Sequence, residues 1–210
     1  MKYAVEVDNV TLKIKGATIL DNVNLKIPVG KIYGFVGRNG SGKTMLMKSI
    51  CGFIPVTSGT ITVFGETVGI KDKFASNTGF IIETPGFIPN YTAYQNLKFL
   101  SDIRKKADKK KIKDIIKMVG LEPDSKKKVG KFSLGMNQRL GLAQALIDDP
   151  ELLILDEPFN GLDHEGVVQI RELLLELKNK QKTIIIASHT KEDIDILCDE
   201  VCYMDKGKLH

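Results

Sequence analysis

The sequence predicts an α/β fold with a mostly parallel core sheet, an N-terminal antiparallel β subdomain and a helical lobe. Residues 1–30 alternate apolar and polar side chains in two or three short runs, as half-buried antiparallel strands do. Short apolar runs then alternate with helical patterns, and successive βα units imply parallel strands covered by helices. Between 87 and about 148 the patterns are helical only. We expect one domain over residues 1–210, with the core subdomains in 1–86 and 149–210 and the helical lobe in 87–148.

Turn residues divide the first part of the chain into strands. Residues 23–27 form the clearest half-buried strand, which Pro28 and Gly30 end. Three turns are expected before this strand, at Asn9, at Gly16 and at Asp21-Asn22. Further on we predict strands over 31–36 and 79–83, a strand and turn over 60–65, a helix over 45–51 that stops at Gly52, and turns at Pro55 and Ser58-Gly59.

The rest of the chain is predicted from periodicity. Apolar residues at helical spacing predict three helices in the lobe, over residues 91–103, 109–119 and 136–147. Strand and helix then alternate again. Strands are predicted over 151–155, 183–187 and 201–204, with helices over 165–178 and 191–198 between them.

Eleven lysines crowd the segment from Lys105 to Lys131, although the net charge of the chain is only 31 − 26 = +5. Such a cluster suits a nucleic-acid surface or a face near anionic lipid headgroups. However, apolar residues recur at helical spacing between Ile112 and Val119. We therefore favour the solvated outer face of an amphipathic helix, and no nucleic-acid partner is expected.

The three cysteines, Cys51, Cys198 and Cys202, are odd in number and do not have the spacing of metal ligands. We expect small buried apolar side chains in a reducing cytosol. No apolar run approaches the ~18 residues needed to cross a bilayer, and the first residues lack the apolar block of a signal peptide.

The segment Gly37–Thr44 reads G-x-x-x-x-G-K-[ST], the phosphate-binding loop of nucleotide-binding proteins. It follows a predicted strand and precedes a predicted helix, where backbone N–H groups can converge on phosphate oxygens. Lys43 would neutralise the β- and γ-phosphates, and the Thr44 hydroxyl would hold Mg²⁺. The residues expected to contact a nucleoside triphosphate are Gly37, Arg38, Asn39, Gly40, Ser41, Gly42, Lys43 and Thr44.

Asp156 and Glu157 follow the predicted strand 151–155, at the end where α/β sheets place ligands. Two acidic residues after a core strand are also compatible with a simple polar loop. Because this chain already has a phosphate loop, we favour a catalytic role for them. Asp156 suits Mg²⁺ through its water shell, and Glu157 suits a general base that deprotonates an attacking water. His189 follows the next strand and is either structural or able to reach the γ-phosphate.

Residues 132–140, FSLGMNQRL, resemble the signature motif of the ATP-binding cassette (ABC) proteins, L-S-G-G-Q. They precede LLILDEP at 152–158, which is similar to the Walker B strand and catalytic glutamate of that family. Asn160–Asp163 resembles the D-loop, and Ser188-His189 resembles the switch histidine. These elements run through essentially the whole chain, and the resemblance implies an ABC cassette with a P-loop and a RecA-like core.

The resemblance implies a head-to-tail dimer, of identical or related chains, with two ATP molecules between the subunits. Ser133 and Gly135 of one subunit would contact the γ-phosphate held by the other, and Asp163 would join the nucleotide-contacting set. A serine hydroxyl and N–H groups at a helix start form an anion site, so the proposed contact is physically sensible. Leu134 and Met136 replace the commoner glycine and glutamine, but Ser133 and Gly135 remain.

Two further departures from the family pattern concern the nucleotide site. Lys15 stands where an adenine-stacking aromatic is usual, before Gly16. Glu83 stands where the Q-loop glutamine is usual, and its carboxylate can still ligate Mg²⁺. Glutamate at this position resembles the lantibiotic- and bacitracin-type exporters of the family.

The function implied is the ATPase subunit of an ABC transporter, an exporter whose separate permease places the chain at the inner face of the cell membrane. The resemblance points to Glu83, Phe87, Tyr91 and Tyr94 as contacts of that permease, while each aromatic residue is equally compatible with the core of the lobe. The alternative is a soluble ABC ATPase that acts on nucleic acid or ribosomes, for which the lysine cluster is the one supporting feature.

Overall fold

Ten strands and six α-helices build the fold in the computed structural model, which describes residues 2–70, 73–104 and 107–210. The strands are β1 (Tyr3–Ile14), β2 (Ala17–Pro28), β3 (Ile32–Val36), β4 (Ser58–Val63), β5 (Glu66–Thr67), β6 (Thr78–Ile81), β7 (Leu152–Asp156), β8 (Thr183–Ala187), β9 (Glu200–Asp205) and β10 (Lys208–Leu209). The α-helices are α1 (Lys43–Ile50), α2 (Ala93–Arg104), α3 (Lys109–Met118), α4 (Leu134–Leu146), α5 (His164–Asn179) and α6 (Lys191–Leu197).

The core sheet has the strand order β10-β9-β3-β8-β7-β6. All neighbouring pairs from β9 to β6 are parallel, whereas β9 and β10 pair antiparallel. Side chains of β7 alternate between the two faces: Leu152 and Ile154 pack towards α1, and Leu153 and Leu155 pack towards the other helices. Because both faces are covered, the strand is apolar throughout, and the predicted mostly parallel core is confirmed.

A second sheet, antiparallel throughout the described residues, has the order β2-β1-β4-β5 and packs over α1. The turns predicted at Asn9 and Asp21-Asn22 are wrong, because β1 and β2 are continuous strands of twelve residues each. Asn9 and Asn22 both adopt φ 49°, where the register of the β1–β2 pair shifts. Asparagine tolerates this left-handed backbone conformation, so here it marks bulges rather than chain reversals.

The turn predicted at Ser58-Gly59 is also wrong, since both residues begin β4. Gly59 has φ +83°, and a Cβ atom there would lie 2.5 Å from the carbonyl oxygens of Asp8 and Asn9. The glycine therefore allows β4 to approach β1 closely. The short strands β5 and β10 were not predicted, because two-residue strands carry no periodic signal.

The helices α2, α3 and α4 lie within residues 87–148, and the division of this lobe from the core stays a prediction. In α3, Ile112, Ile115 and Ile116 are buried while Lys109 and Lys117 are exposed, which confirms the amphipathic helix. Two members of the lysine cluster, Lys105 and Lys106, lie outside the described residues.

The helix α4 rests directly on the core sheet. A Cβ atom at Gly79 in β6 would lie 2.0 Å from the Ala145 carbonyl oxygen, and one at Gly141 would lie 2.7 Å from the Pro85 ring. Both positions therefore exclude a side chain of any size, and α4 packs against backbone. The sequence predicted this helix to start at residue 136, but it starts at Leu134 because Ser133 caps it.

All three cysteines are free thiols, and Cys51 is buried while Cys198 and Cys202 are half-buried. Burial raises the pKa of Cys51 to about 12 and is also the main cause that raises the pKa of Cys198 to about 12. These thiols stay protonated at neutral pH, in agreement with an apolar packing role. No helix in the described ranges is long and apolar enough to cross a membrane.

Candidate functional site: a phosphate loop beside two acidic residues

The phosphate loop connects β3 to α1 and is built around its own lysine. The Lys43 Nζ atom donates to the carbonyl oxygens of Gly37, at 2.7 Å, and Arg38, at 3.3 Å. Gly42 adopts φ 111°, a conformation that favours glycine, immediately before the helix begins. The lysine ammonium is thereby held against the loop at the positive end of α1.

Ser41 in the same loop is 4% exposed, and its hydroxyl oxygen has no hydrogen-bond partner among the described residues. A buried hydroxyl that lacks a partner is uncommon in folded proteins, and it fits a loop made to meet an anionic ligand. This orphaned atom, the lysine and the glycine backbone suit the phosphates of a nucleotide.

A cavity of about 480 Å³ lies over the loop, within the size range of small-ligand sites. Its lining includes residues 39–45, which contain much of the predicted loop, together with Asp156 and Glu157. Ile19 from β2 also lines it, a residue that we did not predict because no motif marks it. Lys15 lies at the exposed turn before β2, with φ 48°, and is not one of the lining residues.

Asp156 ends β7 and faces the start of α1. The Thr44 hydroxyl donates to the Asp156 carboxylate at 2.6 Å, which joins residues 112 positions apart in sequence. A hydroxyl and a carboxylate are oxygen donors of the kind that Mg²⁺ prefers. The pair therefore fits a divalent cation bound beside the phosphates.

Glu157 is held at both its backbone and its side chain. Its N–H donates to the Ala187 carbonyl at 2.9 Å, and its own carbonyl accepts from the Gln138 amide at 3.2 Å. It adopts φ 49°, unusual for a non-glycine residue and often found at functional sites. Its carboxylate lies 2.8 Å from the His189 Nδ1 atom, so the structure brings together the acid and the histidine, whose role the sequence left open. Gln138 was not predicted.

Glu83 leaves the end of β6 with φ 63° and forms an ion pair with Lys48 of α1 at 2.6 Å. Lys48 is one helical turn beyond Thr44, so the Glu83 carboxylate lies on the same side of α1 as the cation donors. The sequence predicted a metal ligand at Glu83 but did not predict Lys48 as its partner.

The signature residues lie at the start of α4, away from the lining of the loop cavity. Ser133 caps the helix by accepting from the Met136 N–H at 3.2 Å, and Leu134 is 62% exposed. A Cβ atom at Gly135 would lie 2.6 Å from the Gly161 carbonyl oxygen, so this glycine packs against the loop before α5. Asp163 caps α5 by accepting from the Gly166 N–H at 2.9 Å.

A phosphate loop with its lysine and threonine, hydrogen-bonded to an acid at the end of a neighbouring parallel strand, defines a P-loop nucleoside triphosphatase. The family profile described as ABC transporter matches residues 20–160. The chain therefore belongs to the ATP-binding subunits of the ABC transporter family, binds ATP and is an ATPase. The family and fold predicted from the sequence are confirmed.

Two relatives and one solved structure illustrate this membership. The chain is 48% identical to the ABC transporter ATP-binding protein YybJ of Bacillus subtilis (strain 168), over 98% of this chain and 94% of that protein. It is 41% identical to the bacitracin transport ATP-binding protein BcrA of Enterococcus faecalis, over 100% of this chain and 68% of that protein. The dimeric bacterial ABC transporter cassette MJ0796 has the same fold, with a TM-score of 0.88, 23% identity and coverage of 98% and 96%.

Proposed function

We propose that this chain is the ATP-hydrolysing subunit of an exporter of the bacitracin-transport type, and that it drives a separate membrane permease by ATP-dependent dimerisation. The bacitracin transport relative supports the exporter assignment. The observation that carries the ATPase mechanism is the pairing of two contacts, Thr44 with Asp156 and Glu157 with His189. These contacts gather four residues, one from α1 and three at or just after the ends of β7 and β8, at one end of the core sheet.

In the proposed mechanism the loop residues and Lys43 bind the phosphates, and Lys43 balances their charge. Thr44, Asp156 and Glu83 would hold Mg²⁺, which supplies charge neutralisation at the β- and γ-phosphates. Glu157 accepts a proton from the attacking water, which then adds to the γ-phosphorus as the bond to the β-γ bridging oxygen breaks. His189 orients Glu157 through its Nδ1 contact and extends towards the γ-phosphate.

The position of the signature residues supports the proposed dimer. Because Ser133, Gly135 and Asp163 are not in the lining of the loop cavity, a second cassette would bring its own copies to the γ-phosphate. The second cassette is either the same chain or a close relative. Through its permease the complex would lie at the inner face of the cell membrane.

The alternative, action on nucleic acid or ribosomes, has less support in the structure. Lysines of α3 lie on a solvated face, and Lys113 forms an ion pair with Asp124. Filter binding to DNA and RNA at moderate salt tests this alternative, and we expect no retention above that of an acidic protein of similar size.

Two exposed aromatic regions are candidates for permease contact. Tyr91 is 39% exposed, whereas Phe87 and Tyr94 pack partly against the core. A hollow of about 520 Å³ lies between the end of α1 and β6, and Phe53 and Phe74 line it. Phe74 is 59% exposed and Phe53 is 41% exposed, so the sequence prediction missed the more exposed pair.

We expect Tyr91→Ala and Phe74→Ala each to lower copurification of the chain with its permease from membranes by at least about fivefold, because truncated aromatic anchors lose interface contacts. Tyr203→Ala is the matched control, since Tyr203 is 58% exposed on β9, which is separated from β6 by three strands of the core sheet. Copurification is measured on a blot, and the recovered amount is compared with the ATPase rate of each purified variant. Unchanged recovery of both variants would contradict this placement of the permease.

Glu83→Gln is expected to raise the Mg²⁺ concentration for half-maximal ATPase activity by about fivefold, since an amide lacks the charge of a carboxylate ligand. Lys48→Met is expected to shift it in the opposite direction, because the ammonium at 2.6 Å from Glu83 competes with the cation. The measurement is a Mg²⁺ titration at fixed ATP. The same direction for both variants would refute the role of Glu83 as a ligand.

A further inference from the structure

A buried chain of hydrogen bonds connects α5 to the loop that carries His189. The Arg171 guanidinium donates through Nε, at 2.9 Å, and Nη2, at 2.6 Å, to the Oδ1 atom of Asp193. Arg171 is 8% exposed and Asp193 is 2% exposed. A doubly bonded arginine–carboxylate contact in a buried setting fixes both side chains in one geometry.

The second carboxylate oxygen of Asp193 continues the chain towards the active site. The Ser188 hydroxyl donates to Asp193 Oδ2 at 3.0 Å, and the same oxygen of Ser188 accepts from the Thr190 N–H at 3.1 Å. Ser188 and Thr190 are the residues on either side of His189. This series of hydrogen bonds therefore fixes the backbone on both sides of that histidine.

The His189 side chain needs this support because little packs around it. Its side chain is 70% exposed, and within the described residues its imidazole makes a polar contact of 2.8 Å with Glu157. An exposed imidazole samples several rotamers unless its backbone is fixed. The backbone of 188–190 must therefore supply the constraint that side-chain packing does not.

We propose that Arg171 is a positioning residue for the ATPase reaction, acting through Asp193 and Ser188 on His189 and thereby on the Glu157 carboxylate. Arg171 lies eight residues after Asp163, on the helix that Asp163 caps. Helix α5 therefore carries Arg171, whose hydrogen bonds lead to His189, and begins at Asp163, which is expected to meet the second subunit. The inference rests on the proposed roles of Glu157 and His189.

Two variants interrupt the chain at different points. Arg171→Lys keeps the positive charge but loses the pair of hydrogen bonds that the guanidinium donates to Asp193. Ser188→Ala removes the hydrogen bonds of the Ser188 hydroxyl with Asp193 and Thr190, while Arg171 and Asp193 stay paired. We expect each to lower kcat about tenfold with an unchanged ATP dissociation constant, because a small displacement of a reacting group has a large effect on rate. Glu192→Gln is the control: Glu192 accepts from Arg171 Nη1 at 3.1 Å, but its side chain is 66% exposed and is not in the chain to Ser188.

The deciding readout is the ¹⁵Nδ1 signal of His189 in histidine-labelled protein without nucleotide, among only three histidines. In Arg171→Lys and Ser188→Ala this signal should move towards its position in a Glu157→Ala variant, and in Glu192→Gln it should stay in place. If Arg171→Lys fails to fold, Ser188→Ala decides alone. An unmoved signal overturns the proposal even if kcat falls. If the signal moves while kcat is unchanged, the hydrogen-bonded link to His189 is supported but the positioning role is overturned. Because the NMR signal needs no turnover, this test is independent of the proposed transport function.

Discussion

Glu157→Gln is expected to lower the ATPase rate by at least about 100-fold while ATP still binds, since general-base catalysis contributes factors of this order. An amide has nearly the shape of the carboxylate but cannot take a proton from water. The backbone contacts that hold residue 157, to Ala187 and Gln138, do not involve its side chain and should survive the change. Phosphate release under saturating ATP measures the rate, and equilibrium binding of ATP measures the dissociation constant.

The same variant should accumulate an ATP-bound dimer, because two cassettes closed on uncleaved ATP lack the step that releases them. Size-exclusion chromatography with and without ATP would show this as an ATP-dependent doubling of mass. Glu172→Gln is the matched control, as Glu172 is an exposed residue of α5. Hydrolysis at the wild-type rate in Glu157→Gln would refute the assignment of the base, and a monomer at all ATP concentrations would refute the dimer.

Lys43→Ala is expected to weaken ATP binding by roughly 10- to 150-fold, which corresponds to the loss of a hydrogen bond to a charged group of about 1.5–3 kcal/mol. The change also removes the two bonds from Lys43 to the Gly37 and Arg38 carbonyls, so the loop loses an internal support. Calorimetric titration with ATP gives the dissociation constant directly.

Lys117→Ala provides the control for Lys43→Ala. Lys117 is exposed on α3, where alanine is a good helix former, so the same loss of one positive charge should leave ATP binding and thermal stability nearly unchanged. If Lys43→Ala bound ATP as tightly as Lys117→Ala, the loop would not be the phosphate site.

Much of the site could be predicted because its residues belong to local motifs. Thr44 and Asp156 were assigned to one cation from the phosphate loop and from the end of a strand, and the structure places them at hydrogen-bond distance. Ile19 and Gln138 could not be found in this way. They reach the site through the register of β2 and the direction of α4, which depend on tertiary packing.

The fold was predicted better in its core than at its edges. Buried strands such as β7 and β8 are apolar on both faces and give a clear signal, whereas the composition at Asn9 and Ser58-Gly59 predicts turns where the structure has strands. Glycine and asparagine permit left-handed backbone both in turns and in bulges, so composition alone does not separate the two. The link from Arg171 to Asp193 spans 22 positions and follows no motif, so the sequence alone could not predict it.

The contact between β6 and α4 has a consequence for the construction of chimeras. Gly79 belongs to the strand and Gly141 to the helix, and each faces backbone or proline of the opposite segment at a distance that excludes a methyl group. A graft of residues 87–148 from a relative would carry its own residue 141 but meet Gly79 and Pro85 of the host. Donors with alanine at the position of Gly141 should therefore be incompatible with this host unless the junction is moved to include the strand.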